Sequence, residues 1–514
     1  MIREALRWAA DLKLLPRALL CLALGALTAL AMPPVDAWWI FGLSFPVFLL
    51  LVENASWRRA LLLGWLFGFG YFLGVLHWIG FAFLINAATD LWMMPFAVGG
   101  LAAVLALYWG LATMAATALV RRGFYLPLVA PLCFSMAEWL RGVLFTGFPW
   151  AVAGLAVDGM GPVAQLAALI GMSGLTLLIL LWAATPLMMI KGQRGMALAI
   201  LLALPLSWAW GEWRLRENPT QYVDGVNIRI VQPSVSQSDT WRNTHARAIY
   251  DELLQLSAQP STNGKAITHI IWPESIVPFL IDESSEGRAE LAKVLAGHTN
   301  LLTGAVRRSA PTAQADYFTS VLVFDGDANV IGRYDKWHLV PGGEYLPLEW
   351  ILAPLGFRHL VNVPESFSAG PGPESIAVPG AGFAGPQICY EAIFAGAATS
   401  MTPRPDWLVN VTNDGWFGNS AGPYQHLAQL RLRAIEQGLP IVRAANTGIS
   451  AIIDATGRYL IQSKMGDIKI LDSPLPQPII ATIYSQFGDF GFVLLLLLGW
   501  VLAFAIVNRW RLIS

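Results

Sequence analysis

The sequence predicts a multi-pass α-helical membrane domain combined with one soluble α/β domain. Hydrophobic residues make up 55% of the 514 residues and charged residues only 13%, about half the charged share of an ordinary soluble protein. The apolar residues are gathered into eight long runs, whereas the polar residues are concentrated in one stretch, 222–485. Segregation of this kind is typical of membrane proteins that carry a folded extramembrane domain.

The eight apolar runs are the candidate transmembrane helices. Most reach the roughly 20 residues that a spanning helix needs, and the second run is marginal. The runs cover 14–32, 38–53, 60–84, 92–120, 124–140, 160–190, 196–211 and 490–507. The first lacks a clean small-residue cleavage site and is followed at once by another run, so we interpret it as a retained helix. We therefore expect a membrane domain of seven helices over 1–213, a soluble domain over 222–485 and a C-terminal transmembrane helix at 490–507.

Basic residues mark one side of the membrane. If the helices alternate in direction, the lysines and arginines of the termini and short loops fall together: Arg3, Arg7, Lys13, Arg17, Arg58, Arg59, Arg121, Arg122, Lys191, Arg194, Arg509 and Arg511. Because positive loops are retained in the cytoplasm, we expect both termini to be cytoplasmic. The chain would then lie in the inner membrane, with its soluble domain in the periplasm.

Glu138 and Arg141 are charged residues near the outer end of the fifth apolar run. Their spacing of three places them on one helix face. Charged groups at membrane depth often mark function, which leaves lipid headgroup contact open. We favour an ion pair that anchors the helix end.

Composition also excludes some classes of function. The net charge of −1 gives no electrostatic case for nucleic acid binding. Cys21 and Cys133 lie in apolar runs and Cys389 in the polar stretch, so no disulfide framework follows. The histidines are scattered without paired ligand spacing, so we expect no metal and no cofactor. No dimerisation surface is evident, and we expect a monomer.

The polar stretch alternates short β-branched runs with helical patterns, which indicates α/β layering. Strands are predicted at 226–231, 269–271, 301–304, 320–324, 375–378, 385–388, 407–411, 441–444 and 450–453. Helices are predicted at 243–256, 288–296 and 424–437. The segment 321–334 is typical of a hairpin that turns at Asp325-Gly326-Asp327.

Three of these strands end in a reactive side chain. Glu274 follows a strand and lies beside Trp272 and Pro273, so partial burial should raise the pKa of its carboxyl group towards that of a general base. Lys336 lies beside an aspartate. A lysine and an aspartate that are neighbours usually form an ion pair in solvent, but in a site without water the lysine would stabilise an oxyanion. Cys389 ends a strand before a predicted helix start, where a cysteine has a lowered pKa. A buried structural cysteine is the commoner alternative.

The order Glu274, Lys336, Cys389, each after a strand of an α/β domain, resembles the nitrilase superfamily over the whole soluble stretch. This resemblance implies an αββα sandwich. Seven helices before such a domain and one after it resemble the apolipoprotein N-acyltransferase family over nearly the entire chain. The matching motifs are Trp-Pro-Glu at Glu274, Tyr-Asp-Lys and His-Leu-Val-Pro around Lys336, Gly-Glu-Tyr at Glu344, Cys-Tyr-Glu at Cys389, and Asn-Asp-Gly-Trp-Phe-Gly at 413–418. The chain departs from the family at Gly343, where phenylalanine is common, which puts the packing beside the site in doubt.

The family resemblance implies a two-step acyl transfer without a cofactor. Glu274 would take the proton of Cys389, whose thiolate attacks an ester of a phospholipid such as phosphatidylethanolamine. Lys336 and the Tyr390 N–H would hold the oxyanion, and Glu344 would orient Lys336. The thioester would then pass its acyl chain to the α-amine of a diacylglyceryl apolipoprotein. Covalent catalysis of this kind divides one difficult step into two.

The resemblance also implies aromatic and acidic substrate contacts, at Trp241, Tyr390, Glu391, Trp416 and Phe417. Ordinary core packing is the alternative for each of these residues. The packing alternative is weakest for Trp416, because this residue lies on a Gly-rich loop and loops often carry function.

Other functions stay open at this point. A membrane-bound amidase or nitrile hydrolase on the same fold would use water as the second acceptor. A ligand-binding or scaffold module would not need the Glu-Lys-Cys set. A transporter would need an inverted repeat or midplane charges, neither of which is evident.

Overall fold

The computed structural model describes residues 12–236, 245–312, 315–356, 366–396 and 402–513, with side chains described up to residue 508. The described chain divides into two compact units. The first contains the residues up to Gly80, Ala88–Glu217 and the residues from Ala481 onwards. The second contains Phe81–Ala87 and Asn218–Ile480.

The first unit is helical. Seven helices in the described residues are long and apolar enough to cross a membrane: Leu14–Ala31, Trp57–Leu84, Ala87–Val120, Leu126–Thr146, Ala153–Ile190, Arg194–Glu217 and Phe490–Asn508. The run predicted at 38–53 forms a shorter apolar helix, Ile40–Val52. The multi-pass helical domain is thus confirmed, with seven full-length helices where the sequence predicts eight.

Glu138 and Arg141 form a buried ion pair in this unit, with 2.6 Å between Oε2 and Nη2. Trp109 Nε1 donates to Glu138 Oε1 at 2.6 Å. Arg141 Nη1 donates to the carbonyl oxygens of Phe148 and Trp150. Since Arg141 is only 1% exposed and its Nε, Nη1 and Nη2 are all engaged, the structure favours the anchoring role over headgroup contact.

The second unit contains two six-stranded sheets. The strands, in chain order from β1 to β12, are Tyr222–Gln232, His269–Trp272, Asn300–Arg308, Tyr317–Phe324, Val330–Asp335, Ile376–Val378, Gly382–Ile388, Trp407–Thr412, Ile441–Ala445, Ala451–Ile453, Tyr459–Gln462 and Lys469–Pro476. The first sheet has the order β12-β1-β2-β3-β4-β5 and the second β11-β10-β9-β8-β7-β6. The hairpin predicted at 321–334 is confirmed as β4 and β5; β11 and β12 were not predicted.

The central apolar core lies between the sheets. It joins Ile230, Ile271 and Val323 of the first sheet to Val409 and Val442 of the second. A second cluster packs the helices Ala246–Ser257 and Ser285–Leu295 on the first sheet. A third packs the helix Gly422–Gln437 on the second sheet. These layers confirm the predicted αββα sandwich.

Strand direction determines where the reactive residues meet. β1, β2 and β3 run parallel, and so do β7, β8 and β9. β5 is antiparallel to β4, which is antiparallel to β3, so β5 and β3 run in the same direction. The carboxyl ends of β2 and β5 therefore lie at one edge of the first sheet, and those of β7 and β8 at one edge of the second.

Candidate active site

Glu274, Lys336 and Cys389 come together at these strand ends. Glu274 follows β2, Lys336 follows β5 directly and Cys389 follows β7 directly. The Glu274 carboxylate and the Cys389 thiol lie close enough to shift each other's pKa, and Glu274 Oε1 lies 3.6 Å from Lys336 Nζ. All three side chains are buried. The sequence-predicted set therefore forms one site.

The main chain holds Glu274 in place. Its Oε2 accepts the Asn413 N–H at 2.9 Å, which ties it to the end of β8. A Cβ atom on Gly304 of β3 would lie 2.4 Å from Glu274 Cα and 2.7 Å from Pro273 O. Only glycine permits this approach, because backbone atoms cannot yield as a side-chain tip can. Burial raises the pKa of the Glu274 carboxyl group, as predicted, and Lys336 partly offsets the effect.

Lys336 sits between two carboxylates. Its Nζ donates to Glu344 Oε1 at 2.7 Å, while Glu344 Oε2 accepts the Val340 N–H at 2.7 Å. Burial by itself would lower the pKa of the ammonium, but Glu344 and Glu274 outweigh it and the pKa is raised. Lys336 therefore stays charged, and Glu344 lies where a residue that orients Lys336 must lie.

Cys389 has an unusual backbone. Its φ of 47° lies in the left-handed region, which L-residues other than asparagine and aspartate rarely occupy. It begins a five-residue 3₁₀ helix, Cys389–Ile393, where the sequence predicts a helix start. The prediction of a lowered thiol pKa is wrong. Burial and the charge of Glu274 raise the pKa of Cys389, against the opposing effect of Lys336.

Glu391 is completely buried. It accepts hydrogen bonds from Ile388 N–H at 2.7 Å, Trp337 N–H at 2.9 Å and Tyr334 O–H at 2.9 Å. These donors lie beside Cys389 and Lys336 along the chain, so Glu391 connects the two segments that carry these residues. The geometry favours this positioning role over the substrate contact predicted from the sequence. Burial raises the pKa of its carboxyl group to about 7.

The predicted aromatic contacts fall in different surroundings. Tyr390 is buried and packs edge-on against His338 and Phe394. Trp416 and Phe417 are half-buried on the 3₁₀ turn Asp414–Phe417, which follows directly after Asn413, the residue that holds Glu274. Trp241 lies outside the described residues.

A buried polar group behind Cys389 was missed by sequence reasoning. His426, on the helix Gly422–Gln437, places Nε2 3.0 Å from the Cys389 carbonyl oxygen and Nδ1 2.9 Å from Asp414 Oδ1. Arg443 Nη2 donates to Asp414 Oδ2 at 2.5 Å. Although burial opposes it, Arg443 and His426 hold the pKa of Asp414 at about 2. His426 follows Cys389 by 37 residues, so no motif in the sequence around either residue indicates that the two are in contact.

The site combines a thiol, a carboxylate base and a fixed ammonium group. Among the described residues no group of histidine, cysteine or acidic side chains could hold a metal ion. Because the resting thiol is neutral, attack requires the adjacent base to take its proton as the new bond forms. A fixed positive charge in a dry site would stabilise the oxyanion that develops. The arrangement is suited to acyl transfer through a covalent intermediate.

Two family models match the chain. The model of the apolipoprotein N-acyltransferase N-terminal domain matches residues 24–185. The carbon-nitrogen hydrolase model matches residues 227–474.

The chain is also similar to curated full-length proteins. It is 41% identical over 495 residues to an apolipoprotein N-acyltransferase of Rhodopseudomonas palustris, covering 92% of both chains. It is 40% identical over 509 residues to an apolipoprotein N-acyltransferase of Bradyrhizobium diazoefficiens, covering 95% of this chain and 94% of the relative. Among solved structures, an amidase from Nesterenkonia sp. matches 51% of this chain and 94% of its own, with 16% identity and a TM-score of 0.36.

Proposed function

Since this chain belongs to the apolipoprotein N-acyltransferase family and is a membrane-bound acyltransferase, we propose that Cys389 carries the acyl chain as a thioester between two substrates. The donor is a phospholipid, phosphatidylethanolamine. The acceptor is the α-amino group of the N-terminal S-diacylglyceryl-cysteine of a lipoprotein. The observation that carries this proposal is that the buried Glu274 carboxylate lies beside the Cys389 thiol and 3.6 Å from the Lys336 ammonium.

The first half-reaction acylates the enzyme. Glu274 takes the thiol proton while Cys389 Sγ bonds to the ester carbonyl carbon. Lys336 Nζ and the Tyr390 N–H stabilise the resulting oxyanion, which is the largest contribution in many acyl transfers. The tetrahedral adduct collapses by breaking the C–O bond. Glu274 returns its proton to the departing lysophospholipid oxygen, and the thioester remains.

The second half-reaction transfers the acyl chain to nitrogen. The neutral α-amine of the lipoprotein attacks the thioester carbonyl, and the same two donors hold the oxyanion. Glu274 takes a proton from the attacking nitrogen and gives it to the departing sulfur. An amide forms, the thiol is restored, and substrates and products alternate in a ping-pong cycle.

The surrounding residues have separate roles in this scheme. Glu344 orients Lys336, and Glu391 holds the Cys389 and Lys336 loops together through the hydrogen bonds already described. Trp416 and Phe417, half-buried beside Asn413, contact the lipid substrates. Tyr390 contributes its N–H and packs its ring beside the site, and Trp241 is proposed as a further substrate contact.

The distribution of basic residues supports an inner-membrane location with both termini in the cytoplasm and the catalytic domain in the periplasm. We further propose a monomer with domain boundaries at 1–213, 222–485 and 490–507. Alkaline phosphatase fused after Thr220 should be active, and after Gln193 inactive, since this reporter needs the oxidising periplasm. The reverse pattern would overturn the orientation.

Mass spectrometry tests the thioester. The purified protein is incubated with phosphatidylethanolamine without an acceptor, alongside Cys389→Ser, Glu274→Gln and the control Cys133→Ser. Wild type and the control should gain one acyl chain on the peptide that contains Cys389, and a diacylated lipopeptide should discharge it. No adduct on Cys389, with lipid turnover unchanged in Cys389→Ser, would refute the scheme. Rapid discharge by water with no amide product would indicate the hydrolase alternative.

A further inference from the structure

The cluster behind Cys389 is not used by the scheme above, although it touches the nucleophile's own peptide group. We propose that His426 is a positioning residue for acyl transfer. It holds the Cys389 carbonyl through its Nε2–H and thereby aims the Tyr390 N–H at the oxyanion. This inference rests on the proposed function, because it concerns the N–H that the thioester chemistry requires.

The imidazole ring is held on both sides. Its Nε2 lies 3.0 Å from Cys389 O and its Nδ1 2.9 Å from Asp414 Oδ1. Asp414 Oδ1 also accepts the Thr412 hydroxyl at 3.0 Å, and Arg443 binds the other oxygen at 2.5 Å. His426 and Arg443 are fully buried. A ring that is fixed at Nδ1 in this way is a rigid support for the carbonyl group that Nε2 binds.

The Arg443 guanidinium is itself anchored. Its Nε donates to Ile449 O at 3.0 Å and its Nη1 donates to Asn410 Oδ1 at 2.6 Å. Asn410 lies on β8 and Arg443 on the neighbouring β9. The support for the ring therefore extends from the helix Gly422–Gln437 into the centre of the second sheet, which is among the least mobile parts of a domain.

Peptide geometry transmits this support to the reaction centre. The Cys389 carbonyl and the Tyr390 N–H belong to one planar trans peptide group, in which C=O and N–H point in opposite directions. Fixing the carbonyl from behind therefore fixes the direction of the N–H in front. The support is needed because Cys389 has a φ of 47°, a conformation that persists only when its surroundings hold it. A donor on the carbonyl also polarises the peptide and strengthens its N–H as a donor.

The proton position follows from the partner. A main-chain carbonyl only accepts hydrogen bonds, so Nε2 must carry a proton to hold Cys389 O. Burial and Arg443 lower the pKa of His426, and Asp414 opposes them. In a neutral ring with its proton on Nε2, Nδ1 accepts from Arg443 Nη2 at 3.4 Å, because the ionised Asp414 carboxylate has no proton to donate. A doubly protonated ring donates to Cys389 O and to Asp414 Oδ1.

Two polar substitutions distinguish the roles of the two ring nitrogens of His426. In His426→Gln the side-chain amide can reach the position of Nε2, whereas in His426→Asn it reaches only that of Nδ1. Gln429→Asn is the matched control, since Gln429 is buried on the same helix and its Nε2 donates to Gln425 O. Each full-length protein is assayed for acyl adduct formation on Cys389 from phosphatidylethanolamine, for alkylation of Cys389 by iodoacetamide, and for Tm.

We expect His426→Asn to slow acyl adduct formation by about 10²-fold, the effect of losing one oxyanion donor. Alkylation should change less than about threefold, because displacement of iodide develops no oxyanion. His426→Gln should recover most of the acylation rate, and Gln429→Asn should match wild type. Equal acylation rates in His426→Asn and wild type would overturn the inference, as would a parallel loss of acylation and alkylation in His426→Asn. Absence of any adduct on wild-type Cys389 would instead overturn the thioester scheme, and the inference with it.

Discussion

Gly304 provides a test of how closely the base must be placed. In Gly304→Ala the new Cβ would meet Glu274 Cα at 2.4 Å, whereas ordinary van der Waals contact begins at 3.4 Å. The Glu274 main chain must therefore move by about 1 Å, the difference between these two distances. A misplacement of about 1 Å in a catalytic group costs about 10²-fold in rate. We expect acyl adduct formation on Cys389 to fall by that factor.

The assay is the rate of acyl adduct formation from phosphatidylethanolamine, with Tm measured on the same preparation. Gly100→Ala is the control, because a Cβ at Gly100 meets no atom within 4 Å. Glu274→Asp is a second test that does not alter Gly304. It retracts the carboxylate by one methylene and should give a loss of the same order.

A wild-type acylation rate in Gly304→Ala, with Tm unchanged, would contradict this prediction, because it would show that the base tolerates displacement. A loss that appears in Gly304→Ala but not in Glu274→Asp would show that Gly304 acts through something other than the position of the Glu274 carboxylate.

Three further predictions concern buried charges in the catalytic domain. Lys336→Met removes the cation that lies 2.7 Å from Glu344 and 3.6 Å from Glu274. This variant should show no detectable acylation, and its domain should be less stable by about 3–5 kcal/mol. The loss of stability is measured as a lower Tm, and an unchanged Tm would contradict the prediction. Glu391 has a pKa of about 7 in the folded protein against an ordinary value of 4.5, so its ionisation favours unfolding. Its contribution to stability is complete below pH 4.5 and is lost as pH rises to 7, by about 3 kcal/mol. Thermal unfolding of Glu391→Gln should therefore show a weaker decline between pH 5 and pH 7 than wild type, and parallel curves would argue against the shift. Asp472→Ala leaves Arg229 buried without the carboxylate that it binds at 2.9 Å between β1 and β12; it should cost about 3–5 kcal/mol of stability while the acylation rate of the folded fraction stays at the wild-type value.

Local patterns made much of the architecture predictable. The apolar runs predicted the membrane helices, because the bilayer requires about 20 apolar residues whatever the rest of the chain does. The second run, marginal by its length in the sequence, forms the helix Ile40–Val52 of 13 residues, which is shorter than the other seven. In the catalytic domain, short β-branched runs and the hairpin turn predicted the strands of the two sheets except β11 and β12. The burial pattern of β11 is exposed or intermediate throughout, so it lacks the apolar signal of a core strand.

The reactive set was predictable only through the order of its motifs. Glu274, Lys336 and Cys389 each follow the end of a strand, and this position can be predicted from the neighbouring residues in the sequence. The thiol pKa was predicted in the wrong direction, because position at a helix start is local whereas burial and the charge of Glu274 depend on distant segments. Glu391 and His426 show the same limit, since the groups that bind them are separated from them by up to 57 and 37 residues of chain.

Short stretches of chain and their hydrophobicity predicted the membrane helices, the α/β layering and the residues that we propose as nucleophile, base and cation. How these groups act on one another depends on the packing of the folded domain. Asn413 holds Glu274 across 139 residues, Gly304 allows its close approach, and the Arg443–Asp414–His426 cluster lies behind the Cys389 peptide. Electrostatic interactions and hydrogen bonds act over a few ångströms of space, whatever the separation along the chain, so they exist only once the two sheets have packed.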